Sequence, residues 1–198
     1  VLSSPLLSQM PINTRIEQHR VSTARHITTT HKDERADPQD ISLLVIHNIS
    51  LPPNQFGNNY IDDFFEGKLA ADAHPYFNEI HRMRVSAHCV IKRDGEIVQF
   101  VPFNQRAWHA GLSSFQGRSK CNDYAIGIEL EGADHIPYTD IQYKVLTQLT
   151  NAIMQAYPKI TLGRIVGHND IAPGRKTDPG HVFDWPRLRQ SLTPVKSL

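Results

Sequence analysis

A chain of 198 residues is long enough for one well-buried core, and its length favours one domain over two. Hydrophobic residues at 39% and charged residues at 21% are ordinary for a soluble globular protein. A formal net charge of +1 excludes a strong general field for nucleic acid or an anionic membrane surface.

The first segment, Val1 to Met10, lacks a basic n-region and a sustained apolar core, which makes it a poor signal peptide and points to a cytosolic protein. Met10 stands as a candidate natural start, with the residues before it added. Residues 1–40 are polar, rich in Thr and His, and end in a charged run from His31 to Pro38; they read as an extended arm on the surface. Ile41 to Ile46 is a short apolar run rich in β-branched residues, which predicts a buried strand with His47 at its C-terminal end. Open α/β sheets tend to place their sites at such ends.

Leu51-Pro52-Pro53 opens a long loop, and two short helices are expected near 61–68 and 75–81. Apolar runs on either side of Arg93-Asp94-Gly95 predict a β-hairpin. Residues 103–122 are loop-like. From Tyr124 to Gly132 the pattern alternates, so Tyr124, Ile126, Ile128 and Leu130 share one face of a strand, and Glu129 and Glu131 share the other. The longest helix is predicted over about 139–157, opened by a Thr139-x-x-Gln142 capping box and ended by Pro158. Its expected buried stripe is Ile141, Val145, Leu149 and Ile153, with Leu146 and Ala156 beside it. A last short helix starts near Asp184-Trp185-Pro186. No apolar stretch is long enough to span a bilayer.

The chemistry concentrates in Gly167-His168-Asn169-Asp170-Ile171-Ala172-Pro173-Gly174-Arg175-Lys176-Thr177-Asp178-Pro179-Gly180. Two histidines, His47 and His168, together with Asp178 make a ligand set that suits zinc and leaves a fourth position open for water. If the loop is extended, Lys176 and Asp178 point the same way. A positioned carboxylate, Glu129 or Glu131, could carry a proton for hydrolysis, and period-two geometry does not choose between them. Lys176 offers a fixed positive charge for an oxyanion. Arg84, Trp108 and His109 are candidate walls for a polar ligand. The other histidines, His88 among them, read as structural or surface residues, since their spacing fits no helical metal face. Cys89 and Cys121 sit in no CxxC pattern and read as reduced thiols. Walker, Rossmann and GxSxG signatures are absent.

Taken together, Leu44 to Pro53, Val85 to His88, Arg106 to Gly111, Ile126 to Gly132 and Gly167 to Gly180 resemble the zinc N-acetylmuramoyl-L-alanine amidases, specifically the AmpD type. The resemblance runs from about Arg20 onward, so residues 1–19 are expected to form an extension outside a zinc amidase domain of 20–198. It implies a single α/β domain with a central mixed sheet flanked by helices. It also implies one zinc held by His47, His168 and Asp178, with Glu129 as general base and Lys176 as stabiliser of the tetrahedral intermediate. Asn48, Arg84, Trp108 and Lys120 fall where substrate contacts are expected; Lys120 departs from an expected Arg, which would replace a forked clamp by a point charge. The implied substrate is a 1,6-anhydro-muropeptide in cytosolic cell-wall recycling, with no nucleic acid, membrane or obligate protein partner. The alternatives are a periplasmic amidase acting on intact peptidoglycan and a non-catalytic binding module of the same fold.

Overall fold

In the computed structural model, which describes residues 13–193, the polar first quarter does not stay apart from the core. The expectations placed on Val1 to Met10 lie outside these residues. Strands β1 (Ile16–Glu17) and β2 (Arg20–Val21) form a hairpin, and β3 (Arg25–His26) joins the edge of the main sheet. Strand β4 (Lys32–Glu34) pairs with a later strand. Val21, Thr29, His31 and Arg35 are buried, so the described part of the expected surface arm is corrected to a wrapped, hydrogen-bonded segment. The Arg35 guanidinium donates to the carbonyls of Phe103, Asn122, Asp123 and Ala125. Polar composition hides this kind of docking, because it runs through backbone groups that every residue carries. The expected boundary at residue 20 falls inside the β1–β2 hairpin, and Ile16 packs partly buried against the core.

The apolar run forms β5 (Leu43–Ile49), followed by α1 (Tyr60–Glu66) and α2 (Phe77–Ile80). The Asp94-Gly95 hairpin joins β6 (Cys89–Ile91) to β7 (Ile97–Gln99), with Gly95 at φ +88° supplying the left-handed turn residue. The segment expected as loop over 103–122 carries β8 (Gln105–Ala107), which pairs with β4, and a small hairpin of β9 (Ser114–Phe115) and β10 (Arg118–Ser119). Then come β11 (Ala125–Glu131), α3 (Asp140–Ala156), β12 (Ile165–Gly167), α4 (His168–Ile171) and α5 (Trp185–Ser191).

Six strands form the central sheet in the order β12-β5-β11-β6-β7-β3. All neighbours run parallel except β6 and β7, which makes the sheet mixed. One face carries Leu44, Ile46, Ile126, Ile128 and Leu130 and packs against Leu146, Leu149 and Ile153 of α3 and Leu188 of α5. On the opposite face, Val90 and Val98 pack under Phe64, Phe65 and Phe77, while Val45 and Ala125 belong to a separate cluster with Ile171 of α4.

The capping box of α3 is present: Thr139 Oγ1 accepts from Gln142 N at 3.2 Å, and Gln142 Oε1 accepts from Thr139 N at 3.0 Å. Its buried stripe is rotated from the expected one. Gln142, Tyr143, Leu146, Leu149, Thr150, Ile153 and Met154 are buried, whereas Ile141 is 39% exposed. Ile141 and Val145 instead lie over the β6–β7 turn at Gly95, where an added Cβ would meet them at 2.6 and 3.2 Å.

Candidate metal centre

The central pair β5 and β11 runs parallel with His47 opposite Glu129, so both side chains leave the same face of the sheet. Two residues back on that face, Gly127 leaves room for the His109 ring, which lies 2.5 Å from where a Cβ would stand. His168 arrives from β12, the parallel neighbour of β5, as the first residue of α4. That short helix is opened by Asp170, which accepts from Gly167 N at 2.8 Å. The loop after it is not extended. It folds back through Lys176 N to Ala172 O and Asn169 N to Asp178 O, both at 3.0 Å, which returns Asp178 to His168.

The three donors converge. His47 Nδ1 and His168 Nδ1 stand 3.0 Å apart, and each lies 3.2 Å from an oxygen of Asp178. Ligands around a tetrahedral zinc with bonds of about 2.0–2.1 Å stand roughly 3.3 Å from one another. The outer nitrogens are engaged: His168 Nε2 donates to Ala110 O at 3.0 Å, and His47 Nε2 meets His109 Nδ1 at 2.9 Å. With Nε2 committed to the Ala110 carbonyl, His168 turns Nδ1 toward a carboxylate and a second imidazole. That arrangement calls for a cation among the three donors, and two histidines with one carboxylate suit zinc.

Electrostatics sharpen the roles. Burial alone would raise the Asp178 carboxyl, but hydrogen bonds with His168 and His47 outweigh it and hold the group far below the usual carboxylate range. Burial lowers the His47 imidazole, against the pull of Asp178. Glu129 is pushed well above the ordinary range, first by burial and then by the charge of Asp178, with Lys176 opposing. Its Oε1 lies 3.8 Å from His47 Nδ1, and its Oε2 is buried without a hydrogen-bond partner.

Glu131 shares that face but has a different fate. Its carboxylate accepts from Arg93 N at 3.0 Å and Gly57 N at 3.1 Å, so it closes loops. Tertiary packing separates the two carboxylates that period-two geometry left equal.

A cleft of about 850 Å³ opens over the three donors and Glu129. Lys176, Arg84 and Trp108 line it, and the Arg84 guanidinium lies 5.7 Å from the Trp108 ring. Trp108 is held by Nε1 donating to Asp33 at 3.1 Å and by stacking on His31. Asn48 also borders the cleft, but its Nδ2 is committed to Asp134, Tyr138 and the Pro179 carbonyl. Lys120 is exposed, with a left-handed backbone at φ +55°, and does not border the cleft. The expected set therefore divides into seven residues that gather with solvent or donor access, one tied inward, and one left outside.

Two contributors carried no signal in the sequence. Asn122 Oδ1 accepts from His109 N and Ala110 N, fixing the segment after β8 that carries the His168 acceptor. Asp134 sits in an unremarkable Gly-Ala-Asp-His loop, yet bonds Asn48 and Thr177. His88, by contrast, is structural: its Nδ1 accepts from Gly127 N and its Nε2 donates to Gln105 O. Among the described residues no helix is long and apolar enough to cross a membrane.

Residues 35–181 match the model of the N-acetylmuramoyl-L-alanine amidase family. A 1,6-anhydro-N-acetylmuramyl-L-alanine amidase AmpD from Haemophilus influenzae is 63% identical over 177 residues, covering 89% of this chain and 96% of the relative. A crystal structure of a selenomethionine AmpD derivative superposes with a TM-score of 0.88 at 54% identity, covering 90% of this chain and 99% of the other. The Escherichia coli N-acetylmuramyl-L-alanine amidase AmiD, in complex with anhydro-N-acetylmuramic acid-L-Ala-D-gamma-Glu-L-Lys, matches at a TM-score of 0.57 and 31% identity, covering 77% of this chain and 57% of that one.

Proposed function

This chain belongs to the N-acetylmuramoyl-L-alanine amidase family, and from that membership we propose that its cleft hydrolyses the amide between 1,6-anhydro-N-acetylmuramic acid and the L-alanine of a stem peptide. The reading rests on one observation above the others. His47 Nδ1, His168 Nδ1 and Asp178 converge beside a buried, unpartnered Glu129 oxygen. His47, His168 and Asp178 would hold one zinc ion. When bound, zinc supplies a Lewis acid for the scissile carbonyl and lowers the pKa of a water molecule at its open position.

Glu129 is the proton carrier. Its buried oxygen beside the metal donors is placed to take a proton from the attacking water and to pass it to the alanine nitrogen, which leaves as an amine. Lys176 lines the same cleft, where its ammonium group stabilises negative charge that develops on the former carbonyl oxygen. Arg84 and Trp108 supply a cationic and a flat apolar wall for sugar or peptide. Asn48 serves the substrate indirectly, through the loop it holds, and Lys120 falls outside the contact set. Likeness to AmpD supports a place in cytosolic muropeptide recycling.

The test is to incubate zinc-loaded protein with an anhydro-muropeptide and, separately, with intact sacculi, and to measure free stem peptide. Release from the muropeptide alone, abolished by a chelator and restored by zinc, is the expected result. Release from sacculi at a comparable rate would move the activity to intact peptidoglycan. No release from either substrate would remove the amidase reading.

A further inference from the structure

His47 projects from a central strand, but Asp178 comes from a turn outside any regular element, tied to α4 through Asn169 N donating to Asp178 O. A third donor on a free turn would have to be ordered each time an ion binds, at the cost of backbone entropy. The structure contains a specific restraint on that turn. Asn48, the chain neighbour of His47, donates from Nδ2 to Asp134 Oδ1 at 2.7 Å. Thr177, the chain neighbour of Asp178, donates a short hydrogen bond from Oγ1 to Asp134 Oδ2. One carboxylate therefore ties the neighbour of one ligand to the neighbour of another.

Backbone contact makes the tie tight. Gly180 has φ +86°, and a Cβ there would stand 2.3 Å from Asp134 Cα and 2.6 Å from its carbonyl oxygen. The ligand turn thus lies directly against the Asp134 backbone. Around it, Asn48 Nδ2 and the Tyr138 hydroxyl both donate to the Pro179 carbonyl, at 3.2 and 2.6 Å.

We propose that Asp134 is a positioning residue of the metal centre: its two carboxylate oxygens lock Asp178 into register with His47. The proposal rests on the zinc reading given above. Groups hydrogen-bonded directly to metal ligands are worth about 10–100-fold in metal affinity, and Asp134 acts one residue removed from two of them. Asp134 also borders the cleft, so its charge, and not its bonds, offers the competing explanation.

Substitutions separate the two. Asp134→Ala removes both bonds. Asp134→Asn removes the charge but keeps an acceptor for Asn48, and the Thr177 hydroxyl can turn to accept from the new amide. Thr177→Val breaks only the arm toward Asp178. Zinc affinity is measured by competition with a chromophoric chelator, and ligand geometry by the visible spectrum of the cobalt-substituted protein. Amide hydrogen exchange at residues 176–180 is followed in the metal-free protein.

Asp134→Ala is expected to weaken zinc binding about 10–100-fold, to alter the cobalt spectrum and to speed exchange of the turn. Thr177→Val should show part of that loss, and Asp134→Asn should recover most of it. Zinc affinity of Asp134→Ala within about twofold of the parent overturns the proposal, as does an Asp134→Asn variant equally as weak as Asp134→Ala. Failure of the parent protein to bind zinc would count against the functional reading, and turn exchange would then still decide the brace. Unchanged exchange in both Asp134→Ala and Thr177→Val overturns it.

Discussion

The two faces of the central sheet are built from the same two strands and have opposite fates. Along β5 and β11, Leu44, Ile46, Ile126, Ile128 and Leu130 point under α3 and α5 into a continuous aliphatic core. The alternate positions, His47, Gly127 and Glu129, point into a gap between two apolar clusters, whose Phe64, Phe65 and Ala110 border the cleft. The apolar face secures the strands by burial. The other face uses that rigidity to carry an imidazole and a carboxylate that would be costly in an ordinary core. Precision at the site is thus borrowed from packing on the far side of the sheet.

This division can be broken face by face, and the largest effect belongs to the polar side. Glu129→Gln should reduce amide hydrolysis by about 10²–10⁴-fold while zinc affinity stays near that of the parent, as checked by turnover and chelator competition. Full activity of this variant would sink the proton-carrier role. On the apolar side, Ile128→Ala, at a position with 0% exposure, should cost about 2–5 kcal/mol in denaturant unfolding. The folded fraction should still bind zinc normally, and a selective loss of zinc affinity would show that the faces are not separable.

The smallest expected effect is on pH dependence, and it too belongs to the polar face. Burial, with Arg35 adding to it, holds the His88 imidazole well below its ordinary 6.5. The unfolded chain takes up a proton as pH falls through that value, whereas the folded chain does so only at much lower pH. Stability present above 6.5 is therefore lost as pH falls below it, by up to about 1.4 kcal/mol per pH unit for one such histidine. Metal-free His88→Gln should show a flatter decline than the parent between about pH 6.5 and 5. An equally steep decline in both proteins would place the loss elsewhere.

Much of the fold could be read from local patterns. The Asp94-Gly95 hairpin, the capping box at Thr139 and the alternation over 124–132 each depend on residues only a few positions apart. In α3, Leu146, Leu149 and Ile153 are buried as expected, but Ile141 and Val145 are apolar for another reason, covering the turn at Gly95. The polar arm lies mostly on the surface, as its composition implies, but its docking uses backbone pairing and one buried arginine, neither of which leaves a hydrophobic period. At the site, the residue types were legible and their commitments were not: Asn48 looked available to a ligand but is bonded to Asp134 and Pro179.

The sequence by itself determined which donors the chain carries, two histidines and an aspartate with glutamates on the facing side of a strand, because residue type and strand period are local properties. Only the tertiary structure decided that Glu129 stands unpartnered while Glu131 is consumed by Arg93 and Gly57. It alone brought Asp134 between the two ligand-bearing segments. The physical reason is that proton affinity and ligand register depend on burial and on neighbours across space, and chain order does not fix which neighbours those are.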